Sequence, residues 1–330
     1  MSMLIDVLRP EAWEEVNDTV KNWLGLEAKT RARVYRGLAH AVYEISQGTA
    51  HFMAHKKAIG VIQGQTPVFE NLLPYYYKET YEVFAQSHLQ MSDVKQWVES
   101  LKKDTCFVLF AEDHPVTGEL YPFVDELDQL LNEKRIFSFR VSHARHFSER
   151  RENRPYTVRI CSFNSEFAVA LTGERFRSPA MMVENMPWSK DFVMADLQKS
   201  LQRKNTNPVL VDQFEKEISS VAELYFQPGA FRLFDRAVCV FKDVSAEALA
   251  ENVFNKLGIS HNEGWRKMSS TNMCHWSGIK MFRHWWQPEP SQEMLRGLLV
   301  IGLEFLNTKD FAKTLLSSYE EIKQQQSWSV

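Results

Sequence analysis

Histidines and arginines gather at the end of one apolar segment, and side chains of these types can move protons and bind anions. The segment FRVSHARHF carries His143 and His146 beside Arg140 and Arg145. An imidazole titrates near physiological pH and serves as a general base, which makes His143 a candidate catalytic residue. A polar surface loop contains the same residue types, so that alternative stays open.

Lys190, in the segment Trp-Ser-Lys-Asp-Phe, is the second candidate catalytic residue. A lysine amine forms a Schiff base with a carbonyl compound, which is one common form of covalent catalysis. The alternative is a solvated lysine at the start of a helix.

Other residues are suited to binding a phosphate or a carboxylate. The turn Gly64-Gln65-Thr66 follows an apolar run and precedes helical spacing, which predicts a strand, a tight turn and a helix. Arg175 and Arg283 carry guanidinium groups, which pair with such anions through two hydrogen bonds. An ordinary helix cap and surface arginines are the alternatives at these positions.

These residues need a scaffold, and the order of the apolar segments predicts one. Short β-rich runs alternate with helical spacing, and the continuous run Thr105–Ala111 is typical of a strand buried on both faces. Strands that alternate with helices imply β-α-β units and a mostly parallel sheet covered by helices. Ligands bind at the carboxyl ends of such strands, which is where FRVSHARHF would end.

The remaining spacing predicts further elements. Helices are expected over residues 34–46, 211–225, 246–257 and 291–306, the last beginning at a serine N-cap, and a strand over residues 237–242.

Changes in the pattern of predicted helices and strands divide the chain into three parts. We expect an N-terminal helical arm over residues 1–45, a large α/β domain over residues 46–208 and a smaller α+β domain over residues 209–330.

The charge balance and the apolar runs exclude several partners. With 39 Lys+Arg against 42 Asp+Glu the formal net charge is −3, so neither nucleic acid nor anionic lipid is expected as a partner. No apolar run approaches the roughly 20 residues that span a bilayer. The first residues contain acids and no basic leader, so we expect a cytoplasmic protein without a membrane association.

No metal centre is expected. Cys106, Cys161 and Cys239 lie in apolar runs and are expected as buried thiols, and no Cys-x-x-Cys pair is present. His51 and His55 have the i, i+4 spacing of metal ligands on a helix, but a third ligand is not apparent.

The order of the motifs resembles the fold-type-I family of pyridoxal-phosphate-dependent enzymes, the aspartate-aminotransferase-like family. Gly64-Gln65-Thr66 is similar to the family's Gly-x-Thr turn, which binds the cofactor phosphate. The segment DHPVTGE is similar to the Asn-Pro-x-Gly turn, and the asparagine that bonds the cofactor's ring hydroxyl would fall on His114 or Asp113.

The segment CSFNSEFAVALTGER resembles the part of the family that anchors the cofactor. Its Gly173-Glu174-Arg175 matches the Gly-x-Arg element whose arginine pairs with the phosphate, and the resemblance implies that Ser162 or Ser165 contributes a hydroxyl to the same group. Arg283 falls where the family places the arginine that binds a substrate carboxylate.

The chemical half of the pocket departs from the family. The Schiff-base lysine would fall on Phe167, or on Glu166 after a shift of one residue, and neither side chain forms an imine. The aspartate that protonates the pyridine nitrogen and the tyrosine that follows it would fall on Ser142 and Arg145. A serine does not keep a pyridinium charged, so the electron-sink function of the ring would be lost.

The resemblance implies an aminotransferase-like α/β three-layer sandwich with a smaller C-terminal α+β domain, in a homodimer. The favoured function is that of a divergent member without lysine-dependent transamination. It would bind a phosphorylated or carboxylated small molecule, with pyridoxal phosphate held non-covalently if it binds at all.

Two other functions remain open. The first is an active pyridoxal-phosphate-dependent transferase or lyase that uses Lys190 or His143. The second is a structural or regulatory pseudoenzyme whose dimer surface is its function. Bound cofactor that borohydride fixes to a lysine would distinguish the first of these from the favoured function.

Overall fold

A computed structural model describes ten segments of the chain. These are residues 31–35, 37–63, 81–86, 89–114, 116–143, 154–162, 168–176, 207–225, 236–268 and 291–327, with the single positions 18, 21, 22, 65, 69, 72, 232 and 234.

The described segments contain strands β1–β10 and α-helices α1–α9. The strands are β1 Arg31–Tyr35, β2 Ala58–Ile62, β3 Glu82–Gln86, β4 Thr105–Ala111, β5 Phe137–His143, β6 Thr157–Ser162, β7 Ala168–Thr172, β8 Ala222–Leu224, β9 Arg236–Phe241 and β10 Leu298–Gly302. The helices are α1 Gly37–Phe52, α2 Val94–Ser100, α3 Val124–Glu133, α4 Pro208–Ile218, α5 Ala246–Leu257, α6 His261–Met268, α7 Gln292–Gly297, α8 Leu303–Leu306 and α9 Phe311–Ser327.

Seven strands form one sheet in the order β1-β7-β6-β5-β4-β2-β3. The neighbours from β6 to β3 are parallel, while β7 is antiparallel to both β6 and β1. The mostly parallel α/β sheet predicted from the alternation of strands and helices is therefore confirmed.

Apolar side chains fix the helices on this sheet. Helices α2 and α3 pack on the face of β4 that carries Val108 and Phe110, because their buried residues Trp97, Val98 and Leu127 belong to the same cluster. Helix α1 packs against β6 and β7 and buries Ile45 completely. Burial on this scale is the main favourable term in folding.

The other strands form a three-stranded antiparallel sheet, β10-β9-β8. Its apolar cluster combines Cys239 and Phe241 of β9 with α4, α5 and α9, and includes Phe254 and Phe311. Trp265 of α6 packs edge-on against Phe254 with ring centroids 5.4 Å apart, so this tryptophan belongs to the core. The other tryptophans of the tail, Trp276, Trp285 and Trp286, lie outside the described residues.

The chain divides into two compact units. The first comprises residues 1–113 and 121–203, and the second residues 114–120 and 204–330. The turn that follows β4 is therefore counted with the second unit, although the sequence places it in the middle of the α/β region.

The helical arm predicted for residues 1–45 is wrong at its C-terminal end. Residues 31–35 form β1, which pairs with β7 at one edge of the large sheet, and the helix predicted over residues 34–46 begins at Gly37. The segment RARVY alternates between basic and apolar residues, and this two-residue period is the signal of a strand.

Two predicted helices are also too long. The helix expected over residues 211–225 ends at Ile218, and Ala222–Leu224 is β8. The helix expected over residues 291–306 is interrupted by β10, whose five residues are all buried. Gly297 marks the boundary, since a Cβ atom there would lie 2.1 Å from the carbonyl oxygen of Phe241.

Candidate functional site

The side of the sheet on which successive strands are added changes between β2 and β4, although the two strands are parallel. From β2 the chain continues to β3 on one side, whereas from β4 it proceeds through β5 and β6 on the other side. In open α/β sheets a ligand binds in the crevice outside the carboxyl ends of the strands at such a switch point. In the first unit, a ligand is therefore expected at the carboxyl ends of β2 and β4.

Polar residues lie at or just beyond the carboxyl ends of four of the parallel strands, and this row of strand ends is the carboxyl edge of the sheet. Gln65 follows β2, Glu112 and Asp113 follow β4, and His143 and Ser162 are the last residues of β5 and β6.

The structure brings two of the predicted site residues together. His143 and Ser162 are directly opposite each other in the register of β5 and β6. Their backbone positions are described, and both are at the carboxyl edge. Gly64, Thr66, Lys190 and Arg283, which the sequence also predicts as site residues, lie outside the described residues.

Arg175 is not brought to this edge. β7 runs antiparallel to β6, with Ala168 opposite Ser162 and Thr172 opposite Val158. Beyond it, the amide of Arg175 donates to the carbonyl oxygen of Pro155, on the amino side of β6.

Ser162 and Arg175 thus lie near opposite ends of the strands, Ser162 at the carboxyl end of β6 and Arg175 beside its amino end. At about 3.3 Å per residue, the seven residues from Pro155 to Ser162 span roughly 23 Å. An arginine pairs with an anion at hydrogen-bond distance. The expectation that Ser162 and Arg175 hold the same phosphate is therefore wrong, and the exposed Arg175 side chain belongs to the other edge.

A packing role accounts for Gly173 in the Gly-x-Arg match. A Cβ atom at Gly173 would lie 2.1 Å from the carbonyl oxygen of Arg154, and the Gly173 amide donates to the carbonyl oxygen of Thr157. The glycine allows the chain leaving β7 to approach the backbone before β6. Its presence does not indicate a phosphate site.

The connection between β6 and β7 is short. Only residues 163–167, with the sequence Phe-Asn-Ser-Glu-Phe, join Ser162 to Ala168. The lysine position of the resemblance, Phe167 or Glu166, falls within this connection, which contains no lysine. The residues present therefore do not fit a cofactor anchored here through an imine.

His114 stabilises its own turn. Its Nδ1 accepts hydrogen bonds from the amides of Val116 and Thr117, each at 3.2 Å, and its own amide donates to the carbonyl oxygen of Glu119. Because Nδ1 accepts, the imidazole proton must be on Nε2.

A buried ion cluster involves the middle of β5 and β6 and the residue that follows β4. Arg140 and Arg159 are opposite each other on β5 and β6, an arrangement of like charges that is unfavourable by itself. Glu112 compensates both: its Oε1 is 2.6 Å from Arg140 Nε and its Oε2 is 3.0 Å from Arg159 Nη2. The second contact is a hydrogen bond, while the first is an ion pair outside hydrogen-bond geometry.

Asp128 of α3 completes this cluster. Its carboxylate lies 3.2 Å from Arg140 Nη1, accepts from Thr157 Oγ1 at 2.7 Å and also accepts from Ser138 Oγ. Burial alone would lower the pKa of Arg140, but the carboxylates of Glu112, Asp128 and Asp125 outweigh it, and the pKa is raised above its ordinary value. Arg140 therefore remains charged, and its guanidinium group pairs with the carboxylates of Glu112 and Asp128 inside the fold.

The sequence interpretation missed Glu112 and Asp128. It grouped Arg140 with His143 as residues that meet a ligand, whereas Arg140 is buried under α3. One signal was available: Val124, Leu127, Asp128 and Leu131 share the buried face of α3, and an aspartate at such a position needs a buried cationic or donor partner.

Cys161 is not a nucleophile in this fold. It is fully buried, and its Sγ lies 3.3 Å from Oγ of Ser142, the residue at the position of the family's ring-nitrogen aspartate. Burial raises the pKa of the Cys161 thiol to about 11, against the opposing effect of Arg159. A thiol with that pKa is protonated at neutral pH and reacts slowly.

The described residues contain neither a metal-binding cluster nor a membrane-spanning helix. Within the described ranges, no three His, Cys, Asp or Glu side chains form a group that could hold a metal ion. His51 is in the last turn of α1, while His55 lies beyond its end, so the two do not share a helix face. No helix in the described part of the chain is long and apolar enough to cross a bilayer.

Comparison with known proteins identifies the fold. No protein-family model and no curated protein matches the sequence. A NifS-like protein has a TM-score of 0.65 at 10% identity, covering 96% of this chain and 88% of that chain. A histidinol-phosphate aminotransferase from Clostridium acetobutylicum has a TM-score of 0.61 at 12% identity, covering 98% and 92%. A cysteine desulfurase from Thermococcus onnurineus NA1 has a TM-score of 0.64 at 12% identity, covering 95% and 84%.

At these identities the likeness concerns the fold, and it extends over nearly the whole chain. It agrees with the motif order and with the seven-stranded sheet in which β7 alone is reversed. The chain has the fold-type-I, aminotransferase-like fold of pyridoxal-phosphate-dependent enzymes.

Proposed function

We propose that the protein binds a phosphorylated or carboxylated small molecule at the carboxyl edge of its large sheet and does not catalyse lysine-dependent transamination. The observation that carries the proposal is the connection of residues 163–167, which joins β6 to β7 at this edge and contains no lysine. Without an amine at this position, no imine forms there.

Glu112 at this edge is compatible with an anion. The charge of Glu112 is compensated by Arg140 and Arg159, so this buried carboxylate does not oppose a negative ligand. Ser162 ends β6 at this edge and is proposed as one hydroxyl donor, with Gly64 and Thr66 as further contacts, while Arg283 stays a prediction from the sequence. Arg175 has no part in this site, because it is at the other edge.

Pyridoxal phosphate is one candidate ligand, held non-covalently. The described residues do not fit its usual chemistry, since Ser142 is at the aspartate position and contacts Cys161. A serine hydroxyl does not stabilise a charged pyridinium as a carboxylate does. The proposal therefore includes binding but no catalytic step through the cofactor.

One observation favours a second function, an active enzyme. His143 is at the carboxyl end of β5, directly opposite Ser162. In this second function we propose His143 as the general base that acts on a bound small molecule. Lys190 is the other residue that could supply catalysis, through a Schiff base from outside the β6–β7 connection.

The test uses the purified protein with added pyridoxal phosphate. We expect a rise in the unfolding temperature with the cofactor or with inorganic phosphate, because a ligand that binds only the folded state stabilises it by mass action. We also expect no imine absorption band and no stoichiometric attachment of the cofactor after borohydride. An attachment that maps to Lys190 and is lost in Lys190→Ala would establish the active enzyme instead.

The homodimer remains part of the proposal. It predicts a mass of twice 38.5 kDa by light scattering. A protein that dimerises but shows no stabilisation by either probe would be the structural or regulatory pseudoenzyme.

A further inference from the structure

Gln65 links the ends of β2 and β4 through its side chain. The pairing of these strands extends only to Val61 opposite Leu109, so the amide of Ala111 lies beyond the ladder. Gln65 Oε1 accepts a hydrogen bond from that amide at 2.7 Å. Gln65 is 3% exposed. Its hydrogen bond to Ala111 extends the pairing of β2 and β4 beyond the backbone ladder.

This hydrogen bond fixes the orientation of the Gln65 amide. A backbone N–H is only a donor, so the atom that faces Ala111 must be the amide oxygen. The assignment of O and N is thereby determined by chemistry, without the usual ambiguity of a glutamine side chain. The two N–H groups of Nε2 must then point away from Ala111.

Nε2 of Gln65 is a buried donor that lacks a hydrogen-bond partner within the part of the chain that the structure describes. A buried donor without a partner loses its hydration and gains nothing in return. Such groups are rare in folded proteins, and each one needs a physical explanation.

The position of Gln65 suggests that explanation. The side chain bridges β2 and β4, the two strands between which the side of strand addition changes, at their carboxyl ends. A ligand in an open α/β sheet is expected in that crevice. The orphan donor and the switch point are independent observations, and they coincide at one residue.

We infer that Gln65 Nε2 donates to an anionic oxygen, of a phosphate or a carboxylate, in the small molecule bound at the carboxyl edge. The inference rests on the proposed function and adds a binding residue to it. Gln65 then has two roles, since Oε1 holds the strands together and Nε2 selects a ligand with an acceptor at this position. A ligand without such an acceptor would leave the donor buried and unpaired.

The chain offers a matched control in Gln47. Its Nε2 is also buried and, within the described residues, has no hydrogen-bond partner. It is in α1, however, where Thr49 contacts Cys106 near the amino end of β4. The same substitution at Gln47 therefore removes an orphan donor far from the proposed ligand.

The experiment compares Gln65→Glu, Gln65→Met and Gln47→Met with the unaltered protein. Gln65→Glu keeps an oxygen for the Ala111 amide and replaces the donor with an acceptor, while Gln65→Met has no charge to bury and serves where Gln65→Glu does not fold. Dissociation constants for pyridoxal 5′-phosphate and inorganic phosphate are measured by calorimetry on proteins with native circular dichroism.

The expected result is at least tenfold weaker binding of both probes by the Gln65 variants and unchanged binding by Gln47→Met. Equal binding by the Gln65 variants and the unaltered protein would overturn the inference and leave the proposed function intact. Equal weakening in the Gln47 variant would also overturn it, because the effect would then be structural. If the unaltered protein binds neither probe at millimolar concentration, the proposed function fails and the inference fails with it.

Discussion

Replacing Glu112 with glutamine should destabilise the first unit strongly, although the two side chains have the same shape. Removing one partner of a buried ion pair costs about 3–5 kcal/mol, because it leaves an uncompensated charge. Glu112 contacts two buried arginines, and Arg140 retains Asp128 at 3.2 Å. We therefore expect a loss of about 3 kcal/mol, near the lower end of that range.

Arg140 cannot avoid this cost by losing its proton. Its pKa is lowered by burial but raised more strongly by Glu112, Asp128 and Asp125, so the net shift is upward. A guanidinium group is in any case always charged in a protein. The substitution therefore leaves a charge in the interior at every pH at which the protein folds.

The measurement is urea unfolding followed by far-UV circular dichroism. The control is Glu82→Gln, which breaks an exposed ion pair with Lys102 in the same unit, and we expect no measurable change from it. A loss of less than about 1 kcal/mol for Glu112→Gln would refute the role given to the cluster.

A quadruple substitution separates the cost of an unpaired charge from the value of the cluster. Glu112→Leu, Arg140→Met, Arg159→Met and Asp128→Asn together remove the four buried charges, and the asparagine keeps an acceptor for Thr157 and Ser138. Replacing buried ion pairs by neutral side chains of similar volume is often neutral or stabilising. We expect the quadruple variant to be more stable than Glu112→Gln, and the opposite order would show that the charges themselves stabilise the sheet.

Three further predictions concern single positions. Gly173→Ala should cost about 1–3 kcal/mol in urea unfolding, because the new Cβ atom would meet the carbonyl oxygen of Arg154. Stability should fall as the pH rises from about 9 to 11 or 12, because burial raises the pKa values of the thiols of Cys161 and Cys106 from 9.0 to about 11 and about 12. The folded state then holds protons that the unfolded state releases, and Cys161→Ala should make the decline shallower. His114→Ala should lower stability by about 1 kcal/mol through the lost turn hydrogen bonds, and His114→Asn, which keeps an acceptor, should lower it less.

Elements with a strong local signal could be predicted from the sequence. The run Thr105–Ala111 is apolar throughout and is β4, residue for residue. The helix expected over residues 246–257 is α5, because its apolar residues repeat at the helical period and Gly258 ends it in the left-handed conformation. Local sequence was sufficient where one face of an element is simply apolar.

The errors arose where tertiary pairing overrides the local pattern. Leu298–Gly302 follows a helix directly and is apolar enough to continue it, but it pairs with β9 and becomes β10. Arg31–Tyr35 is short and rich in arginine, and its partner β7 is more than a hundred residues away in the sequence. Neither partner can be identified from the residues of the strand itself.

The ion cluster could not be predicted for a related reason. Arg140 and Arg159 become neighbours only through the register of β5 and β6, and Glu112 reaches both from the end of β4. Three residues from three strands compensate one another, so no segment of the sequence contains the pattern. An arginine at the end of a strand near two histidines suggests ligand binding until its buried partners are known.

The segment CSFNSEFAVALTGER shows how far a linear motif can mislead. Its serine end and its Gly-x-Arg end flank β7, and one strand between two positions places them at opposite edges of a sheet. For both ends to hold one phosphate, they would have to lie at the same end of β7, whereas the strand separates them. A ligand at the carboxyl edge must therefore be held by donors outside this segment in addition to Ser162. A buried donor there in the described part of the chain, with its orientation fixed by a backbone amide, is Gln65.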